Sequence, residues 1–311
     1  MKRFAFLFPG QGAQYIGMGK EFYSSFQAAK KLFDEADDLL KMKLSHLIFS
    51  GDEKELTQTK NSQPAIFVTS LALLMVLQEL FSITPVTCAG LSLGEYSALV
   101  AAGKMRFSDA LLLVQKRAHF MHDACEAQAG SMAVVLGLDD ALVQSTVDSL
   151  NMPQHIWAAN FNCPGQVVIS GTAAGLEKAS KALSEAGAKR ILPLQVHGAF
   201  HSGLMKPAQE RLQSSIMQTP LQDSTCSIAM NCTGAFCTSA DEIRSNLVEQ
   251  VVRPVFWHKS IHTMAKEHID LFLEIGPGKT LCGMNKRIGV QAPSMSLEKP
   301  EDLKEIEQAL R

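Results

Sequence analysis

The chain has 311 residues, 46% of them hydrophobic and 19% charged, and a formal net charge of -2. This is a globular composition with enough apolar mass for a large core, and it lacks the basic excess of a nucleic-acid binder. Seven cysteines at irregular spacings, with no C-x-x-C pair, read as mostly buried free thiols in a reducing cytoplasm.

Residues 4–8 (Phe-Ala-Phe-Leu-Phe) predict a short buried strand. Pro9-Gly10 stops the apolar run, so the N-terminus is not read as a signal peptide. No apolar run looks long enough to span a bilayer, and no membrane partner is expected. Helical patterns follow near 18–41 and 63–81, with Pro64 suiting the first turn of the second. Residues 86–90 are strand-like and lead through Leu91-Ser92-Leu93-Gly94 into a helix over 95–102. Gly103 ends that helix, and Ser108 is expected to cap a longer one to about Ala127.

From Gly130 the rhythm changes. Strand patterns at 132–137, 155–161, 166–170 and 190–196 alternate with helical ones at 139–150 and 172–186. Asn162-Cys163-Pro164-Gly165 reads as the turn between the middle strands. The order β-α-β-β-α-β is ferredoxin-like. The expected fold class is α/β. A larger α/β-hydrolase-like domain with a mainly parallel sheet is assigned to 1–129 and 198–311, and a small inserted ferredoxin-like subdomain to 130–197.

Gly90-Leu91-Ser92-Leu93-Gly94 matches G-x-S-x-G in its required context of strand, sharp turn and helix. Such a turn exposes the serine Oγ above a sheet edge, and the helix that starts there directs N–H groups toward a developing oxyanion. The competing reading is a serine that caps a helix. An attacking serine needs a base. His201, in Gly198-Ala199-Phe200-His201-Ser202, sits after a predicted strand at a sheet edge, although spacing alone favours a structural histidine. His258 and His262 are four apart but lack the Glu of H-E-x-x-H, so no metal site is expected. Arg117 could offer a fork to a carboxylate, or share an exposed helix face with Lys116. Gly10-Gln11-Gly12 satisfies neither phosphate-loop pattern and better suits a loop that lends a backbone N–H to an oxyanion.

Together these segments resemble the malonyl-coenzyme A:acyl carrier protein transacylase family of bacterial type II fatty-acid synthesis, nearly end to end. The resemblance is carried by Phe8-Pro9-Gly10-Gln11-Gly12-Ala13-Gln14, by Gly90 to Leu99 and by Arg117. It continues through Asn162 to Gly171, Gly198 to Ser202, Gln250 before Val-Arg-Pro-Val-Phe-Trp, and Glu274 to Gly278. It implies Ser92 as the acylated nucleophile, His201 as its base and the Gln250 carbonyl as the group that steadies the histidine. It also implies an oxyanion hole from the Gln11 and Leu93 backbone N–H groups, Arg117 against a malonyl carboxylate, and Phe200 crowding a 2-methyl branch. The family commonly has histidine where this chain has Leu91, so any polar contact of that histidine is missing here.

The implied substrate is malonyl-CoA, a coenzyme A thioester, with no resident cofactor or metal. The implied partner is acyl carrier protein, in a cytoplasmic pathway, with the enzyme as a monomer. Carrier proteins of this pathway are acidic, so Lys189-Arg190 and Lys286-Arg287 are candidate docking pairs, against a reading as solvated surface charge. The rivals are an α/β-hydrolase-type thioesterase or esterase, and a non-catalytic scaffold that binds carrier protein. The hydrolase order places its histidine last, whereas more than a hundred residues follow His201.

Overall fold

The computed structural model describes residues 2–196, 198–237 and 239–310. Of the expected domain limits, Met1, His197 and Arg311 lie outside the described residues. Among the described residues ten strands form two sheets. In chain order they are β1 (Phe4–Phe8), β2 (Pro85–Gly90), β3 (Ser131–Leu136), β4 (Ile156–Cys163) and β5 (Gln166–Gly171). Then come β6 (Arg190–Pro193), β7 (Ser227–Ala229), β8 (Phe236–Cys237), β9 (Leu271–Ile275) and β10 (Ser294–Leu297).

The larger sheet has the order β10-β9-β1-β2-β7-β8 and is parallel except for the short β7–β8 pair. Its central strands are buried because helices cover both faces: all five residues of β1, every one apolar, and all five of β9, apolar but for Glu274, are buried. The smaller sheet, β4-β5-β3-β6, is wholly antiparallel and carries the helices Asp140–Ser149 and Ala173–Glu185. Asp139 and Thr172 cap those helices through their side chains. A parallel bridge from Asn160 to Val255, and the stacked rings of Phe161 and Phe256, tie this sheet to the body of the molecule. The architecture is the expected one: α/β, with a mainly parallel sheet and a βαββαβ unit between its strands.

Several local expectations need correction. The helix expected over 18–41 is two, Lys20–Ser25 and Gln27–Leu40, broken where Phe26 turns extended. Two short helices, Leu44–Ser50 and Glu53–Thr57, follow without having been anticipated. The next helix starts at Thr59, so Pro64 lies inside it and not in its first turn. One N–H is lost there, still close to an end where several donors lack partners anyway. That helix, Thr59–Phe81, is also long and apolar enough to cross a bilayer by length and composition, contrary to the expectation. Seventeen of its residues are buried, which makes it the central core helix of this fold.

Ser108 is not a cap, because the helix begins at Phe107 with Arg106 as its N-cap. β4 continues to Cys163, which leaves only Pro164-Gly165 for the turn. β6 ends at Pro193, which has no N–H to donate, and not at Val196. All seven cysteines are free; four are buried and Cys125, Cys232 and Cys282 are half-buried.

Candidate active site

β1 and β2 are neighbours with Phe8 opposite Gly90, so the turns leaving their carboxyl ends lie side by side. That edge of a parallel sheet is where ligands of such folds collect. Both turns depend on close backbone approach. A Cβ on Gly90 would overlap the Gly94 backbone, one on Gly94 the Phe8 carbonyl, and one on Gly10 the Leu91 carbonyl. Ser92 takes φ 52°, a left-handed conformation that serine rarely adopts, and this lifts its hydroxyl over the sheet edge. Asn231 holds the turn. Its Oδ1 accepts from Ser92 N–H at 2.7 Å, and its side-chain amide donates to the Gly90 carbonyl at 2.8 Å.

His201, also at positive φ (57°), lies in the turn before the short helix Gly203–Met205 and is 3% exposed. Its Nε2 is 2.8 Å from Ser92 Oγ and its Nδ1 is 2.8 Å from the Gln250 main-chain oxygen. A carbonyl oxygen can only accept, so Nδ1 carries the proton and Nε2 offers a lone pair to the serine hydroxyl. Burial, and after it the nearby Arg117 charge, push the imidazole down to about 4. It is therefore neutral at neutral pH and able to take the hydroxyl proton as the oxygen attacks a carbonyl carbon.

Arg117 is 1% exposed, so the exposed-face alternative fails; Lys116 alone takes the outer face. One terminal nitrogen donates to Ser92 Oγ at 3.1 Å and to Gln250 Oε1 at 2.9 Å, and the other donates to Gln63 Oε1 at 2.6 Å. The guanidinium carbon stands 5.5 Å from the Tyr96 ring centroid. Among the described residues no carboxylate forms an ion pair with it. A buried guanidinium held by neutral oxygens has the charge and the donors to pair with an anion.

Behind these groups, the Gln250 side-chain amide donates to the Ser92 carbonyl at 2.8 Å and to Glu95 Oε2 at 2.7 Å. Asn231 N–H donates to Glu95 Oε1 at 2.6 Å. Burial pushes the Glu95 carboxyl up to about 8, opposed by those two N–H groups and by the Arg117 charge. Against that shift, both oxygens face N–H donors and neither faces an acceptor, so the hydrogen bonds select the ionised carboxylate.

Ser92 and His201 open into a cavity whose walls include Gln11, Gln63, Leu91 and Phe200 from the larger half, and Met132, Asn160, Asn162 and Val168 from the smaller sheet. Among the described residues, neither Gln11 N–H nor Leu93 N–H donates to another group of the chain. The Leu91 side chain packs on the apolar cluster around Trp257. Lys189 and Arg190 are exposed at the start of β6, as are Lys286 and Arg287 in the last turn of the helix Thr280–Ile288; none of the four lines the cavity. His258 meets Asp140 at 3.2 Å, and among the described residues no three His, Cys, Asp or Glu side chains gather as a metal site. Gln63, Glu95 and Asn231 went unnoticed in the sequence. Glu95 directly follows the G-x-S-x-G stretch, but neither Gln63 nor Asn231 has a local signal.

A family model described as an acyl transferase domain matches residues 5–296. The chain is 47% identical over 312 residues to the malonyl CoA-acyl carrier protein transacylase of Bacillus subtilis (strain 168), covering 100% of this chain and 98% of that protein. Its fold matches the crystal structure of MCAT from Streptococcus pneumoniae with a TM-score of 0.94 at 40% identity, over 98% of this chain and 99% of that one. It also matches PlMCAT, the malonyl-transacylase in complex with its type II PKS acyl-carrier protein AntF, with a TM-score of 0.93 at 37% identity, over 97% and 98% of the two chains.

Proposed function

The chain belongs to the acyl transferase domain family, and from that premise and the geometry of the site we propose what it does and how. It is an acyltransferase that moves a malonyl group from coenzyme A to the phosphopantetheine thiol of an acyl carrier protein, the reaction for which its relatives are named. The coenzyme A thioester is a substrate and not a resident cofactor. The carrying observation is that a single hydroxyl, Ser92 Oγ, meets a neutral imidazole at 2.8 Å and a buried guanidinium at 3.1 Å.

In this reading Ser92 Oγ attacks the thioester carbonyl and His201 Nε2 takes its proton. The carbonyl electrons move onto oxygen, which the Gln11 and Leu93 N–H groups receive; their lack of other acceptors supports the assignment. Each such donor is worth about 3 kcal/mol in the transition state. As the oxyanion collapses, the C–S bond breaks and His201 returns the proton to the coenzyme A sulfur, which leaves malonyl-Ser92. The carrier-protein thiol then enters, gives its proton to His201 and reverses these steps, a ping-pong sequence. His201 is oriented by the Gln250 carbonyl, which is neutral, so no third acid takes part.

Arg117 pairs with the malonyl carboxylate, and a neutral acyl chain would leave that buried charge uncompensated. Phe200, 6% exposed and on the cavity wall, narrows the space beside His201 against a 2-methyl branch. Residues 1–129 with 198–311, and 130–197, are the two domains of this reading. Lys189-Arg190 and Lys286-Arg287 are its docking pairs for an acidic carrier protein. The pathway is fatty-acid synthesis in the cytoplasm, where seven free thiols persist.

The test is intact mass after mixing with malonyl-CoA. Wild type should gain one malonyl group and Ser92→Ala none. An adduct that survives in Ser92→Ala would refute the assignment.

A further inference from the structure

Glu95 is 1% exposed and does not line the cavity, so it touches no substrate, yet it anchors the hydrogen-bond chain that ends at Arg117. Its two oxygens serve two donors: Oε1 takes Asn231 N–H at 2.6 Å and Oε2 takes the Gln250 side-chain amide at 2.7 Å. The next link is Gln250 Oε1, which accepts from Arg117 at 2.9 Å.

A glutamine amide has nearly the same shape either way round, so its neighbours decide which end faces which group. Here the NH2 end is held by two acceptors, Glu95 and the Ser92 carbonyl, which leaves the oxygen for the guanidinium. Turned over, the NH2 would face the Arg117 donors, and of the two side-chain oxygens that accept from that terminal nitrogen only the Ser92 hydroxyl would remain.

We propose that Glu95 is a positioning residue for acyl-group specificity: it fixes the Gln250 amide with its oxygen toward Arg117, and so holds the guanidinium where a malonyl carboxylate must meet it. The proposal rests on the reading of Arg117 given above. It also explains why the position carries a carboxylate. Only a carboxylate can accept from both Asn231 and Gln250. A glutamine has a single acceptor, and with the rigid backbone donor of Asn231 satisfied, its own NH2 would face the Gln250 NH2. One of the two amides must then turn away. The shape at residue 95 is preserved, but the polarity that reaches Arg117 is not.

The experiment compares single-turnover acylation of Ser92 by malonyl-CoA and by acetyl-CoA in wild type, Glu95→Gln and Arg117→Ala, read by intact mass, with the Tm of each protein. Glu95→Gln is expected to lower the malonyl-to-acetyl rate ratio by at least about tenfold, in the same direction as Arg117→Ala. A purely structural role would lower Tm and both rates together while leaving the ratio at its wild-type value, and that result would overturn the proposal. If wild type takes no malonyl, or if Arg117→Ala keeps the wild-type ratio, the reading of Arg117 fails and the proposal falls with it. If Arg117→Ala loses the ratio and Glu95→Gln keeps it, only the role of Glu95 fails. Should Glu95→Gln not fold, Gln250→Leu breaks the same chain one link later. It should lower the ratio likewise, and an unchanged ratio there would equally overturn the proposal.

Discussion

The two sheets contribute different things to one cavity. Around the carboxyl edge of the parallel sheet stand the groups that touch the Ser92 hydroxyl, His201 and Arg117, together with a buried set of amides that tie them down. The antiparallel sheet contributes Met132, Asn160, Asn162 and Val168, an apolar wall with two amides and, among the described residues, no titratable side chain. The difference follows from the backbone. Parallel strands end in turns that can be strained and hydrogen-bonded from several sides, as at Ser92 and Asn231. A four-stranded antiparallel sheet offers a smooth face, and a smooth face makes a wall.

If the division holds, changes on the two sides should differ in kind. The largest effect is expected from His201→Ala, which removes the proposed base. Acylation of Ser92 should slow by about 10³-fold, measured by rapid quench, with little change in substrate affinity. A smaller effect concerns pH. Because burial and Arg117 hold His201 at about 4, below its usual 6.5, the acid limb of kcat/KM for acylation should fall well below pH 6. The same shift sets the sign for stability, since the fold favours the neutral imidazole. The contribution of this group is complete above its unfolded value of 6.5 and is lost as pH falls from there toward 4, which denaturant titrations across that window would detect. The smallest catalytic effect is expected on the wall. Val168→Ala should cost about 1–2 kcal/mol in stability, yet change the acylation rate only a few-fold. A loss as deep as that of His201→Ala would erase the distinction between the two sheets.

How far the sequence could be read follows the same line. The strand-turn-helix at Gly90–Gly94 is readable because its glycines are a local steric need, and the βαββαβ order is readable because its strands alternate with capped helices. Helix starts near Pro64 and Ser108 mislead, since proline and serine mark a first turn only by preference and tertiary packing moved the starts to Thr59 and Phe107. The burial of Arg117 could not be read from its neighbours, because Lys116 beside it is exposed and nothing local separates the two. Gln63, Asn231 and Glu95 act through partners far along the chain. Glu95 lies 136 residues from the backbone donor it serves, a pairing that only the folded sheet reveals.

The claim that matters most is that the acyl group on Ser92 is handed to a thiol and not to water. Isolated malonyl-enzyme mixed with phosphopantetheinylated acyl carrier protein tests it directly. Malonyl is expected to leave Ser92 at the rate at which it appears on the carrier thiol, with only traces of free malonate. Deacylation at the same rate with or without carrier protein, with malonate as the product, would contradict it.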